Sequence, residues 1–322
     1  MYRHGGRATE IFVQRLTVDE YIATVQSAVG VDIEKDARKI LPRDVRADGF
    51  NNTAYNLSVD LGHVEAYSQL AEIVVTRMDV PKFAARFSKR RDLGDASMRE
   101  LIEPMGRWLL RGPLEPQEVE SYLNISQTVA EQRGDYEEAV SYVVEAMLQS
   151  PRFIYRIERQ RGDGARQTVA PYELASRMSY IIWGGPPDES LYAAAESGDL
   201  ADPAKVRQHV ERMLRDERAI ERSKQFVSQW LHLSRLDNLQ PDTKHFPNWK
   251  QELASDMRDE TLQFFEEVAW RQDRPLGELF NAQVTFATGR LAEHYGMQRQ
   301  QEAWGRYDLK SDDARGGLLT QG

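Results

Sequence analysis

The side chains that could carry chemistry gather in the last third of the chain. His232 and His245 lie in a proline-bounded segment, 230–249, that also contains two tryptophans and two aspartates. Loops present side chains from a fixed scaffold, so a catalytic or binding site could form there. The alternative is aromatic packing at a helix–loop–helix corner, and this is the favoured interpretation of the segment.

A second group of candidates is the carboxylates of the long helix predicted next. Glu260 and Glu267 share a helix face with Asp256, because offsets of four and seven residues bring side chains to the same side. Paired carboxylates can bind a cation or act as general acid and base. A solvated acidic face is the commoner outcome and is the favoured interpretation here. The candidate catalytic residues are His232, His245, Glu260 and Glu267.

Most familiar catalytic and cofactor motifs are absent from the sequence. None of the six histidines belongs to an HExxH pair, and the paired Glu-x-x-His motifs of a di-iron bundle are missing. No phosphate-binding or dinucleotide-binding glycine pattern occurs, and no G-x-S-x-G elbow. The chain has no cysteine, which excludes disulfides, cysteine-ligated zinc, iron–sulfur clusters and thioether-attached haem within it. We therefore expect no metal and no cofactor within this chain.

The charge balance argues against nucleic acid as a partner. The chain has 42 basic and 51 acidic residues, and its net charge of −9 repels nucleic acid and anionic membranes at long range. No apolar run approaches the length of about 20 residues that a membrane-spanning helix needs. The first thirty residues lack the order of a signal peptide. The sequence predicts no nucleic-acid partner, no transmembrane segment and no visible export signal.

Arginines and aromatic residues alternate in the segment 152–161. The arginines of this stretch are Arg152, Arg156, Arg159 and Arg161. Interleaved with Phe153 and Tyr155, they superficially resemble a single-stranded nucleic-acid surface. The acidic total argues against that role, and arginines that pair with carboxylates between domains explain the pattern equally well.

Helical periodicity dominates the chain. Thr17 and Glu20 form a capping box ahead of an apolar stripe, and Gly30 suits the C-terminal end of that helix. Asp135 and Glu138 start the helix with the clearest core face. Further helices are predicted at about 61–78, 97–111, 117–132, 171–183, 188–197, 203–215, 217–233, 247–271 and 288–296.

Loops and one extended segment separate these helices. The residues of 41–57 indicate a long structured loop, those of 79–95 a polar connector, and those of 162–167 a second linker. The segment 152–158 alternates side chains in the way of a short strand or an extended arm. The sequence therefore predicts an all-α fold of several helical bundles joined by long loops, with only minor extended segments. The predicted helical domains are 11–78, 96–160 and 167–296.

A series of short strings runs through the chain in a recognisable order. The strings are RLTVDEY at 15–21, DGFNN at 48–52, RGPL at 111–114, SPRFIYR at 150–156, YELASRMSY at 172–180, PDE at 187–189, QWL at 229–231, ETLQFFEE at 260–267, RLA at 290–292, HYG at 294–296 and RGGLLTQ at 315–321. Taken together they resemble the planctomycete-type cytochrome-c-associated multidomain proteins. The resemblance covers nearly the whole chain and keeps the order of the motifs.

The resemblance implies three consecutive domains of uncharacterised function. It makes 297–322 a linker and the start of a further, truncated domain. Proteins of this family are typically exported and carry c-type cytochrome modules elsewhere in the polypeptide. It therefore implies a periplasmic or cell-envelope location, haem c in parts of the full-length protein outside this chain, and as partners the haem-bearing domains of the same polypeptide or another exported redox protein.

Three functional hypotheses follow from these observations. The leading one is a helical scaffold or docking region of an exported, cytochrome-c-associated electron-transfer protein. A second is an oxidoreductase acting on an extracellular polymer or polyol, with a pocket in the C-terminal helical domain near His232, His245 and Glu260. A third is a partner-binding module without a redox role, which would use tryptophan and arginine surfaces.

Overall fold

The described part of the protein is mostly helical. The computed structural model describes residues 11–47, 49–53, 57–159, 169–242, 244–246, 249–272, 274–298, 300–301, 303–310 and 315–321. Within these ranges the strands form two small two-stranded antiparallel sheets, so the prediction of a helical fold with minor extended segments is confirmed. Among the same residues, no helix combines the length and the apolar composition that crossing a bilayer requires.

The chain divides into two compact units. The first comprises Met1–Arg215 and the second Asp216–Gly322. The predicted linker at 162–167 and the predicted helix start at Pro247 lie outside the described residues.

The first unit begins with a strand and four helices. The capping box is present, since Thr17 accepts a hydrogen bond from the Glu20 amide and the Glu20 carboxylate accepts one from the Thr17 amide. Gly30 ends the first helix with a φ of 87°, a left-handed value that glycine adopts without steric cost. The elements are β1 (Ile11–Arg15), α1 (Val18–Val29), α2 (Glu34–Ile40), α3 (Leu61–Arg77) and α4 (Val80–Ala84).

The next part of this unit returns the chain to its first strand. Its elements are α5 (Asp95–Leu109), α6 (Pro116–Glu131), α7 (Tyr136–Leu148), α8 (Pro151–Ile154) and β2 (Tyr155–Arg159). β2 pairs antiparallel with β1, with Val13 opposite Ile157. The predicted extended segment at 152–158 is thus half right, because its first residues belong to α8 and the remainder to β2.

One apolar core joins these two parts of the first unit. α3 packs against α7, and the cluster of buried side chains runs from Leu16 to Ile154 and includes Tyr180. Tyr21, from α1, is fully buried and meets the ring of Phe153 edge to face at a centroid distance of 5.9 Å. The division of this region into the domains 11–78 and 96–160 stays a prediction. Both segments contribute side chains to the same buried cluster.

Three more helices complete the first unit. They are α9 (Pro171–Ile182), α10 (Glu189–Ser197) and α11 (Pro203–Leu214). The hydroxyls of Tyr180 and Thr24 are 2.8 Å apart, and the Tyr192 hydroxyl donates to the carbonyl of Trp108 at 3.1 Å. These bonds attach α9 to α1 and α10 to α5, and the indole of Trp183, just after α9, donates to the carbonyl of Met213 in α11 at 3.0 Å.

The second unit is built around one long helix. Its helices are α12 (Glu217–Trp230), α13 (Gln251–Glu266) and α14 (Gly289–His294), and its strands are β3 (Val284–Ala287) and β4 (Gly305–Asp308). α13 continues into a π-helical turn, Glu267–Arg271. Short 3₁₀ turns occupy Leu233–Asn238, Leu276–Phe280 and Leu318–Thr320. β3 and β4 pair antiparallel, with Thr285 opposite Tyr307.

Candidate functional site

α13 places two carboxylates on its buried face. Asp256 and Glu260 are one turn apart, and only 7% of Asp256 and 0% of Glu260 is exposed. They lie on the helix face that packs Leu253 and Met257 into one small apolar cluster and Phe264 into another. The favoured prediction of a solvated acidic face is therefore wrong at both positions. The reason is that β3, α14 and the 315–321 segment cover this side of the helix.

Glu260 is held by three side chains that come from three different elements. We call this set the Glu260 cluster: Glu260, Thr285, Tyr295 and Arg315. The Thr285 hydroxyl donates to one carboxylate oxygen, Oε1, and the Tyr295 hydroxyl donates to the other, Oε2, at 2.5 Å. Arg315 adds an ion pair, with Nη2 at 3.4 Å from Oε1. A fully buried carboxylate needs partners of this kind, because an uncompensated charge in the interior is costly.

Arg315 and Tyr295 also contact each other directly. The guanidinium carbon of Arg315 lies 3.4 Å from the centroid of the Tyr295 ring, which is a cation–π contact. Burial raises the pKa of Tyr295, and the adjacent Glu260 carboxylate raises it further. The phenol therefore stays protonated and serves as a hydrogen-bond donor to the carboxylate.

Asp256 fixes α14 to α13. Its Oδ2 accepts from the Thr288 hydroxyl at 2.6 Å and from Arg290 Nε at 2.9 Å, while Oδ1 accepts from Arg290 Nη2 at 3.1 Å. The arginine contact is bidentate, which fixes direction as well as distance. Thr288 also caps α14, since its Oγ1 accepts from the amide of Leu291. The Thr288 hydroxyl thus connects Asp256 of α13 to the first turn of α14.

A glycine lets the 315–321 segment approach the rest of the unit. Gly317 has a φ of 69°, and its amide donates to the carbonyl of Ala282 at 3.1 Å. A Cβ built at this position would lie 2.3 Å from the carbonyl carbon of Phe280, closer than any real side chain comes. The following Leu318 is buried in the cluster that contains Phe264. The segment is therefore seated by its backbone, by one apolar side chain and by the Arg315 ion pair.

The other three sequence candidates lie outside this cluster. His232 is exposed and has a φ of 54°, and His245 is exposed with its Nδ1 at 3.0 Å from Asp242 Oδ2. Glu267 begins the π-helical turn and accepts from Arg306 Nη1 at 2.8 Å. In the described part of the chain, neither histidine forms a hydrogen bond or ion pair with Glu260.

Tryptophans of the 230–249 segment take two different positions. Trp249 is partly buried against the cluster of Leu253 and Met257, as the corner interpretation predicts. Trp230 is 47% exposed and stacks on Phe226, which is 55% exposed, at a centroid distance of 6.3 Å. Packing thus explains Trp249 and leaves Trp230 exposed on the surface of α12.

Three of the four residues of the Glu260 cluster had no role predicted from the sequence. Tyr295 and Arg315 lie in the strings HYG and RGGLLTQ, so a motif marked their positions and left their partner unspecified. Thr285 had no signal, because a four-residue strand is too short for its alternation to stand out. Within the described ranges, no group of three or more histidine, cysteine, aspartate or glutamate side chains is arranged to hold a metal ion.

Comparison with protein families divides the chain into three consecutive segments. Residues 14–80 match PSD3, a protein of unknown function (DUF1587); residues 97–158 match PSD5, a protein of unknown function (DUF1595); and residues 169–297 match PSD4, a protein of unknown function (DUF1592). No curated protein and no solved structure matches the chain. The Glu260 cluster thus has three of its members, Glu260, Thr285 and Tyr295, in the third matched segment, and Arg315 beyond its end.

Proposed function

We propose that this chain, with its three consecutive domains of unknown function, is a helical scaffold within an exported, cytochrome-c-associated electron-transfer protein. In this role it positions haem-bearing domains of the same polypeptide, or docks another exported redox protein. The observation that carries the proposal is the Glu260 cluster. Its carboxylate is closed to solvent, and its three partners fasten β3, α14 and the 315–321 segment to one helix.

The oxidoreductase hypothesis has less support from this geometry. A general acid or base must reach the substrate, by direct hydrogen bond or through one water. Glu260 has no exposed surface. His232 and His245 are both exposed, and His245 contacts Asp242 while the amide of His232 donates to the carbonyl of Gln229. The hypothesis would require that unit to open before its carboxylate could act.

A measurement on the purified 322-residue chain tests the scaffold proposal. Haem would be measured by absorbance of the pyridine complex, metals by mass spectrometry, and electron transfer by turnover of redox dyes. We expect no stoichiometric haem or metal and no dye turnover above that of buffer. Haem or metal that stays with the chain at one equivalent, together with dye turnover, would overturn the proposal. Activity lost in both His245→Ala and Glu260→Gln would instead support the oxidoreductase.

A partner-binding module without a redox role is a second candidate. It is favoured by the stacked and exposed pair of Phe226 and Trp230 on α12, since exposed aromatic side chains are frequent anchors of protein interfaces. It predicts that a protein without haem binds the chain and that Trp230→Ala weakens this binding at least tenfold. Binding of a haem-bearing protein that Trp230→Ala weakens equally would assign the pair to the scaffold role.

A further inference from the structure

The first unit contains a cleft whose walls are rich in arginine. It has a volume of about 240 Å³ and lies between the turn after α5, the α8–β2 segment and the beginning of α9. We call it the arginine cleft, and its cations are Arg111, Arg152, Arg156 and Arg177. Three of the strings noted in the sequence line it, namely RGPL, SPRFIYR and YELASRMSY.

Two of the four arginines are neutralised by carboxylates. Arg152 Nη1 lies 2.5 Å from Glu118 Oε2, so this arginine pairs with a carboxylate, although with one in the same predicted domain, 96–160, and not between domains. Arg177 forms a two-pronged contact with Glu158, with Nε at 2.9 Å from Oε1. Arg161 lies outside the described residues. These pairs contribute little net charge to the cleft.

The other two arginines bind neutral groups. Arg111 is 7% exposed, and its guanidinium donates to the carbonyls of Arg152, Phe153 and Tyr155, the last at 2.8 Å. Arg156 donates to the side-chain carbonyl of Gln14, and its buried Nε has no acceptor within the described residues. Neither has a carboxylate partner in the described part of the chain, so each brings an uncompensated positive charge to the cleft.

A helix N-terminus adds to the same field. α9 begins at the cleft with Ala170 as its N-cap, and no side chain caps it. The first amides of an α-helix have no acceptor within the helix, and the helix dipole is positive at that end. Pro171 at the first helical position has no N–H, so the amide of Tyr172 is the one from which an anion placed here would accept, in addition to the arginines.

Acidic side chains also line the cleft. Besides Glu158, the lining contains Glu115 and Glu173. Glu115 takes part in the capping box of α6, and its neighbour Glu118 accepts from the Glu115 amide at 2.8 Å. Glu173 has interactions of its own. The attraction for an anion is therefore local to Arg156, whose guanidinium pairs with no carboxylate among the described residues, and is not a net charge of the cleft.

We propose that the arginine cleft binds the oxyanion group of a small molecule, a carboxylate, sulfate or phosphate. Arg156 and the amide of Tyr172 would contact the oxygens, and Arg111 would supply charge from the buried wall. Guanidinium groups suit planar and tetrahedral oxyanions alike because their N–H groups point in fixed, parallel directions. The volume exceeds that of a few water molecules at about 30 Å³ each, which leaves room for a small organic acid. This site is independent of the scaffold proposal.

The test is calorimetric titration of the 322-residue chain with sodium sulfate, sodium phosphate and sodium malonate, at constant ionic strength set by sodium chloride. We expect saturable binding of at least one probe with a stoichiometry near one. Sulfate and phosphate binding without malonate would identify a tetrahedral ligand, and malonate binding alone a carboxylate ligand.

Two variants assign the binding to the cleft. Arg156→Gln should weaken it at least tenfold, whereas Arg38→Gln, which removes an exposed arginine of the same unit that does not line the cleft, should leave it unchanged. Ser176→Glu adds a carboxylate to the lining, so it should abolish binding, and Ser176→Gln should not. Absence of saturable binding for all three probes, or equal affinity in the wild type and Arg156→Gln, would overturn the proposal.

Discussion

The buried charge of Glu260 makes its hydrogen-bond donors important for stability. The Tyr295 hydroxyl is one of these donors, and Tyr295→Phe removes it while the ring under Arg315 remains. Because hydrogen bonds to charged groups stabilise more than neutral ones, we expect the free energy of unfolding to fall by about 1.5–3 kcal/mol. Chemical denaturation would measure it.

The matched control for this change is Tyr307, a buried tyrosine of the same unit. The Tyr307 hydroxyl accepts only a long contact of 3.3 Å from the amide of Gln300. Tyr307→Phe should therefore cost about 1 kcal/mol or less. Equal losses for the two variants would show that the Glu260 carboxylate does not depend on its phenol donor.

Gly317 is the second residue on which the cluster depends. Gly317→Ala requires a left-handed φ from alanine and brings a methyl group against the backbone of Phe280. We expect the 315–321 segment to detach from the rest of the unit. Limited trypsin digestion would detect this detachment as faster cleavage after Arg315. Gly277→Ala is the control, because open space surrounds its added methyl group. Cleavage at the wild-type rate in Gly317→Ala would contradict the seating described above.

The sequence marked α13 as a helix with candidate carboxylates, but the environment it predicted for Asp256 and Glu260 was wrong. Glu260 was a candidate because it shares a face with Asp256 and Glu267, yet a helical pattern of carboxylates looks the same on a solvated face and on a covered one. The covering elements are β3 and the 315–321 segment, which are short and distant along the chain. Their arrival could not be predicted from local periodicity.

Ionic contacts between α12 and α13 make the second unit sensitive to acid. Lys224 Nζ lies 3.1 Å from Glu266 Oε2, and Arg271 contacts both Glu266 and Glu217. Burial alone would raise the pKa of Glu266, but hydrogen bonds from Arg271 and Lys224 outweigh it, so the pKa lies below its usual value of 4.5. A carboxyl whose pKa falls on folding stabilises the folded state above its unfolded pKa.

The expected pH dependence has a defined sign. The contribution of Glu266 should be complete above pH 4.5 and should be lost as the pH falls through the lower folded pKa. Denaturation of Glu266→Gln should therefore show a weaker loss of stability below pH 4.5 than the wild type. Glu252→Gln removes an exposed carboxylate of the same helix and should keep the wild-type slope. Parallel curves for the wild type and Glu266→Gln would contradict this account.

Among the elements, the long helices were predictable, whereas some of the short or paired ones were missed. The capping box at Thr17 and the stripe of α7 are local signals, and both were confirmed. α4 lies in the segment 79–95 that was expected to be a polar connector, and it has only five residues. β1 escaped prediction because its partner, β2, lies far along the chain, so its pairing has no local signature.

The shared core of the first unit leads to a prediction about larger pieces of the molecule. A fragment with residues 96–160 alone would expose the part of the α7 face that packs against α3. Exposed apolar surface of this kind costs about 25 cal/mol per Å². We expect the fragment 96–160 to unfold without cooperativity and the fragment 1–215 to unfold cooperatively, as judged by circular dichroism during heating.

The outcome also bears on the predicted domains. Cooperative unfolding of 96–160 by itself would support its prediction as a separate domain and would contradict a core that needs α3. Sequence patterns marked three segments, and the family comparison follows similar limits at 80, 97 and 158. The compact units divide instead at Arg215, inside the third matched segment, and bonds from α9 to α1 and from α10 to α5 belong to the first unit.

If Glu260 anchors the 315–321 segment, its replacement should release that segment, and amide hydrogen exchange would detect the release. Exchange followed by mass spectrometry would compare the wild type with Glu260→Gln and with the exposed control Glu252→Gln. We expect slow exchange in the wild type at Gly317, whose amide bonds to Ala282, and at least tenfold faster exchange in Glu260→Gln alone. Fast exchange in the wild type, or unchanged exchange in Glu260→Gln, would contradict this anchoring role.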